Sequence, residues 1–155
     1  MEHKSIPLNE RIIFALDVDS KEEAKKWVDL LGSHINFYKV GLQLFLAEWF
    51  PVIEMITKRG HKVMVDLKFF DVPETVKSAL RQLRNRNITF ATEHGNDPIL
   101  RAAVEEKSGV KILSVTVLTS YGEEDMEEMG FSGTIEDLVF SRAKRALKLG
   151  CDGVI

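Results

Sequence analysis

Residues 63–75, VMVDLKFFDVPET, combine an alternating strand, charged groups at its end and the start of a helix. Strand periodicity places Met64, Asp66 and Lys68 on one face and three apolar residues on the other. Pro73 suits the first turn of the following helix, where its missing N–H is not needed. A strand that passes directly into a helix is the unit of parallel β/α folds.

The rest of the chain repeats this alternation. Further extended runs are predicted at 12–16, 35–40, 88–92 and 111–118, and a sixth begins at 152–155. Between them, Ser20 with Glu23 and Thr134 with Asp137 have the spacing of helix N-terminal caps. Other helices are predicted at 42–59, at 73–84 and from Pro98. The alternation predicts an α/β protein with a parallel sheet.

Polar side chains end the first five predicted strands: Asp17, Lys39, Asp66 with Lys68, His94, and Thr119. In a (β/α)8 TIM barrel the carboxyl ends of the strands form the active-site face. A doubly wound open sheet also binds ligands at strand ends, but no glycine-rich loop follows the first strand here. The pattern therefore favours the barrel, as one partial domain over residues 1–155.

Composition limits the classes of function. The 155 residues, 45% hydrophobic and 29% charged with a net charge of −3, are typical of a globular protein that binds neither nucleic acid nor membrane. The polar residues 1–4 carry no apolar leader, which predicts a cytoplasmic location. The single Cys151 is interpreted as a core or helix-end thiol.

The candidate chemistry lies around Lys68. Asp66 and Asp71 on either side of it would hold the amine in its charged form, and Asp17 with Lys39 could extend the cluster into a network of alternating charges. The alternative is a buried salt-bridge network that only closes the barrel top.

Residues 66–75 resemble the D-x-K-x-x-D-I/V-P-x-T signature of the orotidine 5'-phosphate decarboxylase family. Three further family-like pieces follow the same order along the chain: 15–17, 38–41 and 115–120. Phe70 and Glu74 depart from the His and Asn that are common in the family. His94, in a segment that follows the family loosely, is interpreted as structural, with contact to the substrate as the alternative.

The resemblance implies decarboxylation of orotidine 5'-monophosphate to UMP, a step of pyrimidine biosynthesis, without a metal or organic cofactor. Lys68 would donate the proton to the ring carbon, and Asp66 would lie near the departing carboxylate. Asp71 would keep Lys68 charged and, with Thr75, would enter the site from the other subunit of a homodimer.

The resemblance also implies the substrate-binding residues. Asp17 and Lys39 would bind the ribose hydroxyls, and Thr119 or Ser120 would bind the pyrimidine. The phosphate-binding Gln and Arg of the family would follow Ile155, so residues 1–155 alone are predicted to form an incomplete barrel of about five and a half β/α units with poor activity.

Two other functions remain open. A magnesium-dependent sugar-phosphate decarboxylase or synthase of the same superfamily shares the Asp-x-Lys-x-x-Asp arrangement. A non-catalytic barrel piece could instead bury its open sheet edge against another copy.

Overall fold

The computed structural model describes residues 5–155, and the polar residues 1–4 lie outside this range. The described chain divides into two compact units. The first contains the residues up to Leu67 together with Leu83–Ala91, and the second contains Lys68–Gln82 and Thr92–Ile155. That residues 1–155 form one domain stays a prediction.

The strands form a six-stranded sheet with the order β1-β2-β3-β4-β5-β6. Their bounds are β1 Phe14–Ala15, β2 Phe37–Gly41, β3 Lys62–Phe69, β4 Ile88–His94, β5 Lys111–Val115 and β6 Gly153–Val154. The pairs β1–β2, β2–β3 and β5–β6 are parallel. Sequential strand order with parallel pairing confirms the predicted α/β architecture of the barrel type.

Seven α-helices and a short 3-10 helix, Leu8–Glu10, connect these strands in the described residues. They are α1 Lys21–Leu31, α2 Leu42–Glu48, α3 Phe50–Thr57, α4 Pro73–Leu83, α5 Asp97–Glu106, α6 Glu123–Glu128 and α7 Ile135–Leu149. Within residues 5–155, no helix has the length and apolar character needed to cross a membrane.

The predicted caps of α1 and α7 are confirmed. The Ser20 hydroxyl accepts a hydrogen bond from the Glu23 N–H, and the Thr134 hydroxyl accepts one from the Asp137 N–H. Each bond satisfies an N–H group that has no partner inside the helix. At the other end of α7, Gly150 adopts the left-handed conformation (φ 97°) that ends many helices.

The single helix predicted at 42–59 is wrong, because the chain forms α2 and α3 with a break at Trp49. Trp49 has φ 52° and ψ −143°, outside the helical region. Pro51 explains the break: it has no N–H to donate back into α2 and its ring would clash with the preceding turn, so a new helix starts with Pro51 in its first turn, where the donor is not needed.

The strands predicted at 12–16 and 111–118 are shorter in the structure, and one helix was not predicted. β1 covers only Phe14–Ala15 of the run 12–16, and Ile12 is 60% exposed. β5 ends at Val115 instead of residue 118, and the chain then turns where the Tyr121 N–H donates to the Leu118 carbonyl. The short α6 was not predicted, since its six residues carry little apolar periodicity.

Each unit has its own buried residues between sheet and helices. In the first unit the fully buried side chains include Val28 of α1, Ile53 and Ile56 of α3, and Val63 and Val65 of β3. The second unit buries Leu80, Leu100, Ile112 and Ala146 in the same way. The interpretation of Cys151 as a core thiol at a helix end is confirmed: it is buried, free and directly follows Gly150.

Candidate active site

In the first unit, Lys39 bridges two carboxylates. Its Nζ lies 3.2 Å from Asp17 Oδ1 and 3.6 Å from Asp66 Oδ2. Asp66 is 9% exposed, Lys39 is 23% exposed and Asp17 is 65% exposed, so the cluster leads from the interior towards solvent. A buried carboxylate needs such a partner, since an isolated charge is strongly disfavoured away from water.

Strand register brings these three residues together. Ala15 pairs with Lys39, and Gly41 pairs with Asp66. The Leu16 N–H donates to the Lys39 carbonyl at 2.9 Å, which brings Asp17 to the end of this pairing. The carboxyl ends of neighbouring parallel strands thus present three charged side chains at the same edge, as the pattern of strand ends predicts.

Lys68 belongs to the second unit and has an unusual backbone. Its φ is 47°, the left-handed region that few residues other than glycine adopt. This is a departure from the extended backbone that strict alternation of faces assumes, although Lys68 still lies within β3. The Lys68 N–H donates to the hydroxyl of Thr92, a buried residue of β4, at 2.9 Å.

His94 lies near this lysine. Its ring centroid is 4.7 Å from that of Phe70. Burial lowers the pKa of His94, and the positive charges of Arg142 and Lys68 lower this pKa further. A neutral imidazole next to two cations adds no positive charge to the surroundings of Lys68.

The remaining predicted site residues are exposed in the second unit. Asp71 follows β3, and its Oδ1 accepts a hydrogen bond from the Val72 N–H at 2.6 Å. Thr75 lies in the first turn of α4, and Thr119 and Ser120 lie in the turn after β5. Their roles in a substrate site stay predictions, as do those of Asp17, Lys39, Asp66 and Lys68.

Sequence reasoning did not identify Thr92 and Arg142 as neighbours of this region. Thr92 resembles any strand-forming residue, and Arg142 resembles any charged residue on a helix surface. Arg142 Nη1 donates to the Thr116 carbonyl, just beyond β5, at 2.6 Å. Both contacts join elements that are distant in sequence, so no local pattern could have indicated them.

A resident metal would need a cluster of ligands. Across residues 5–155, no group of three or more His, Cys, Asp or Glu side chains is arranged to hold an ion.

Known proteins resemble this chain closely. Curated orotidine 5'-phosphate decarboxylases from Methylococcus capsulatus and Xanthomonas euvesicatoria are 48% and 44% identical to it, over its whole length. The chain spans 64% and 66% of the lengths of these two relatives.

Solved structures show the same fold. An orotidine 5'-phosphate decarboxylase from Lactobacillus acidophilus matches 92% of this chain with a TM-score of 0.85 and 33% identity, and the match covers 69% of that structure. One from Thermotoga maritima matches 92% with a TM-score of 0.71 and 26% identity, over 67% of its length. Residues 10–155 also match the model of the orotidine 5'-phosphate decarboxylase / HUMPS family. The chain therefore belongs to this family.

Proposed function

We propose that the protein decarboxylates orotidine 5'-monophosphate to UMP, within pyrimidine biosynthesis and in the cytoplasm. The observation that carries the proposal is the Asp-x-Lys-x-x-Asp sequence at the end of β3, in a chain 48% identical over its whole length to a protein named as this decarboxylase. The family description also covers HUMPS, so the names of the relatives favour the nucleotide substrate.

Lys68 is the proton donor in this proposal. The bond between the ring carbon and the carboxylate breaks, carbon dioxide leaves, and the electron pair stays on the ring carbon. A proton from the Lys68 ammonium forms the new C–H bond, and solvent then reprotonates the amine. A fixed positive charge beside the carbanion stabilises it as it develops.

The first-unit cluster orients the substrate. Asp66 would lie near the substrate carboxylate, where repulsion is relieved as carbon dioxide departs. Lys39 contacts both carboxylates of the cluster and so holds Asp66 in place, while the exposed Asp17 is available to a ribose hydroxyl. Thr119 and Ser120, in the exposed turn after β5, would hydrogen-bond the pyrimidine.

Asp71 and Thr75 would act across a homodimer interface. Asp71 would keep the partner subunit's lysine charged. The loop around Asp71 suits this role, because the flanking Phe70 and Val72 are 65% and 64% exposed. A partner subunit that covered this loop would remove both apolar side chains from water, which favours association.

The test is UMP formation by the whole protein. We expect turnover in the wild type and, in Lys68→Ala, a loss of roughly 100-fold or more, because positioned proton donors contribute at least this much. Lys58→Ala is the matched control, since the Lys58 side chain is 77% exposed and forms an ion pair with Glu54, one turn earlier in the chain. Circular dichroism checks that both variants fold.

A folded Lys68→Ala variant with wild-type turnover would contradict the role of this lysine. A wild-type protein that neither forms UMP nor binds it, yet assembles into oligomers, would contradict the enzymatic function itself.

Metal dependence distinguishes the proposed decarboxylation from the magnesium-dependent sugar-phosphate alternative. Turnover of orotidine 5'-monophosphate should be unchanged after treatment with a chelator. Absence of this turnover, together with magnesium-dependent turnover of a sugar phosphate, would instead favour the sugar-phosphate chemistry.

A further inference from the structure

Lys68, the proposed proton donor, has a strained backbone conformation. Its φ of 47° lies in the left-handed region, which is unfavourable for a side chain with a Cβ atom. Such a conformation persists only when the surrounding structure enforces it. The direction of the Cα–Cβ bond, and so the starting direction of the long side chain, depends on this backbone angle.

Thr92 supplies a contact that can enforce it. Its hydroxyl accepts the hydrogen bond from the Lys68 N–H at 2.9 Å, and the residue is 0% exposed. A buried β-branched side chain has few available rotamers, so its oxygen is held at a defined position. An N–H that donates to a fixed acceptor loses the freedom to rotate with its peptide plane.

We infer that Thr92 is a positioning residue, whose hydroxyl fixes the left-handed backbone of Lys68 and thereby aims the ammonium at the reacting carbon. This inference rests on the proposed function, because it acts through Lys68. Thr92 itself makes no contact with substrate in this account.

The rate of the proposed reaction should depend on the position of the Lys68 ammonium. Arg142 of α7 and Lys68 each interact electrostatically with His94. His94 lies two residues beyond Thr92 on β4. Small misplacements of a catalytic group lower the rate strongly, whereas binding of the rest of the substrate is little affected.

The test compares three substitutions in the whole protein. Thr92→Val keeps the shape and removes the acceptor, Thr92→Ser keeps the acceptor and removes the methyl group, and Thr92→Ala removes both. We expect Val and Ala to lower kcat by roughly 10- to 100-fold with little change in KM or in UMP affinity. Ser should restore most of kcat.

Two results would overturn the inference. If the Val variant were active and the Ser and Ala variants were slow, the methyl group and not the hydroxyl would be needed. Thr92 would then act by packing alone. Wild-type kcat in Ala or Val would show that the hydroxyl is dispensable. If Val does not fold, the comparison of Ser with Ala decides in the same way.

Lys68→Ala, measured alongside, separates this inference from the proposed function. A slow Lys68→Ala variant together with wild-type rates in the Thr92 variants removes only the inference. Wild-type turnover in Lys68→Ala would remove both.

Discussion

Glu93 is a fully buried carboxyl group. It lies on β4 and is 0% exposed. In the part of the chain that the structure describes, neither of its carboxyl oxygens has a hydrogen-bond partner. Burial raises the pKa of Glu93 to about 9, so the group is neutral at pH 7. A protonated acid avoids the larger cost of a buried charge.

This burial predicts a pH-dependent stability. The folded-state pKa of about 9 lies above the ordinary value of 4.5, so the folded protein binds the proton more tightly between these values. The unfolding free energy should therefore fall as the pH rises through this window, by at most about 1.4 kcal/mol per pH unit. Urea unfolding at several values between pH 6 and pH 9 measures the slope.

Glu93→Gln isolates the contribution of this one group. Gln does not titrate, so the variant should lose this part of the slope, whereas Glu128→Gln on the exposed end of α6 should keep it. An unchanged slope in the folded Glu93→Gln variant would contradict the assignment of the pH dependence to Glu93.

The end of β4 packs unusually close to β5. A Cβ atom on Gly95 would lie 2.5 Å from the Val115 carbonyl oxygen and 3.4 Å from the Ser114 hydroxyl. Contact this short with a backbone atom cannot be relieved by rotating a side chain. Gly95 is thus required by the approach of two strands, and its φ plays no part in the requirement.

Gly95→Ala should therefore destabilise the protein. We expect a loss of about 1–3 kcal/mol in unfolding free energy, the usual cost of inserting a group into a packed interior. Gly122→Ala is the control, because the nearest atom to its Cβ, Asp125 Oδ2, lies at an ordinary 3.7 Å. Chemical denaturation of both variants checks this, and equal stabilities would contradict the close approach.

The proposed homodimer would share its active sites between subunits. In this arrangement Lys68→Ala removes the proton donor of one site, and Asp71→Ala damages the site of the partner subunit. Mixing the two inactive variants should regenerate one intact site in each mixed dimer. Random exchange then restores roughly a quarter of wild-type activity.

The measurement is UMP formation after subunit exchange, with each variant alone as the control. If Asp71 served the lysine of its own subunit, neither site of a mixed dimer would be intact. The mixture would then be no more active than the separate variants.

Local signals predicted much of this protein correctly. The caps at Ser20 and Thr134 could be predicted because each involves residues only a few positions apart. The parallel α/β order followed from the same local periodicities, since strands and helices differ in the spacing of their apolar residues. The acidic and basic strand ends were also visible, although their roles in catalysis stay predictions.

Contacts between strands could not be derived in this way. The ion pairs of Lys39 with Asp17 and Asp66 depend on the register of three strands, and the Thr92–Lys68 hydrogen bond depends on how β3 meets β4. The left-handed Lys68 and the buried Glu93 even oppose the local expectations of an extended strand and an exposed carboxylate. Local propensity reflects each segment alone, whereas these features arise from interactions between residues that are distant in sequence and become neighbours upon folding.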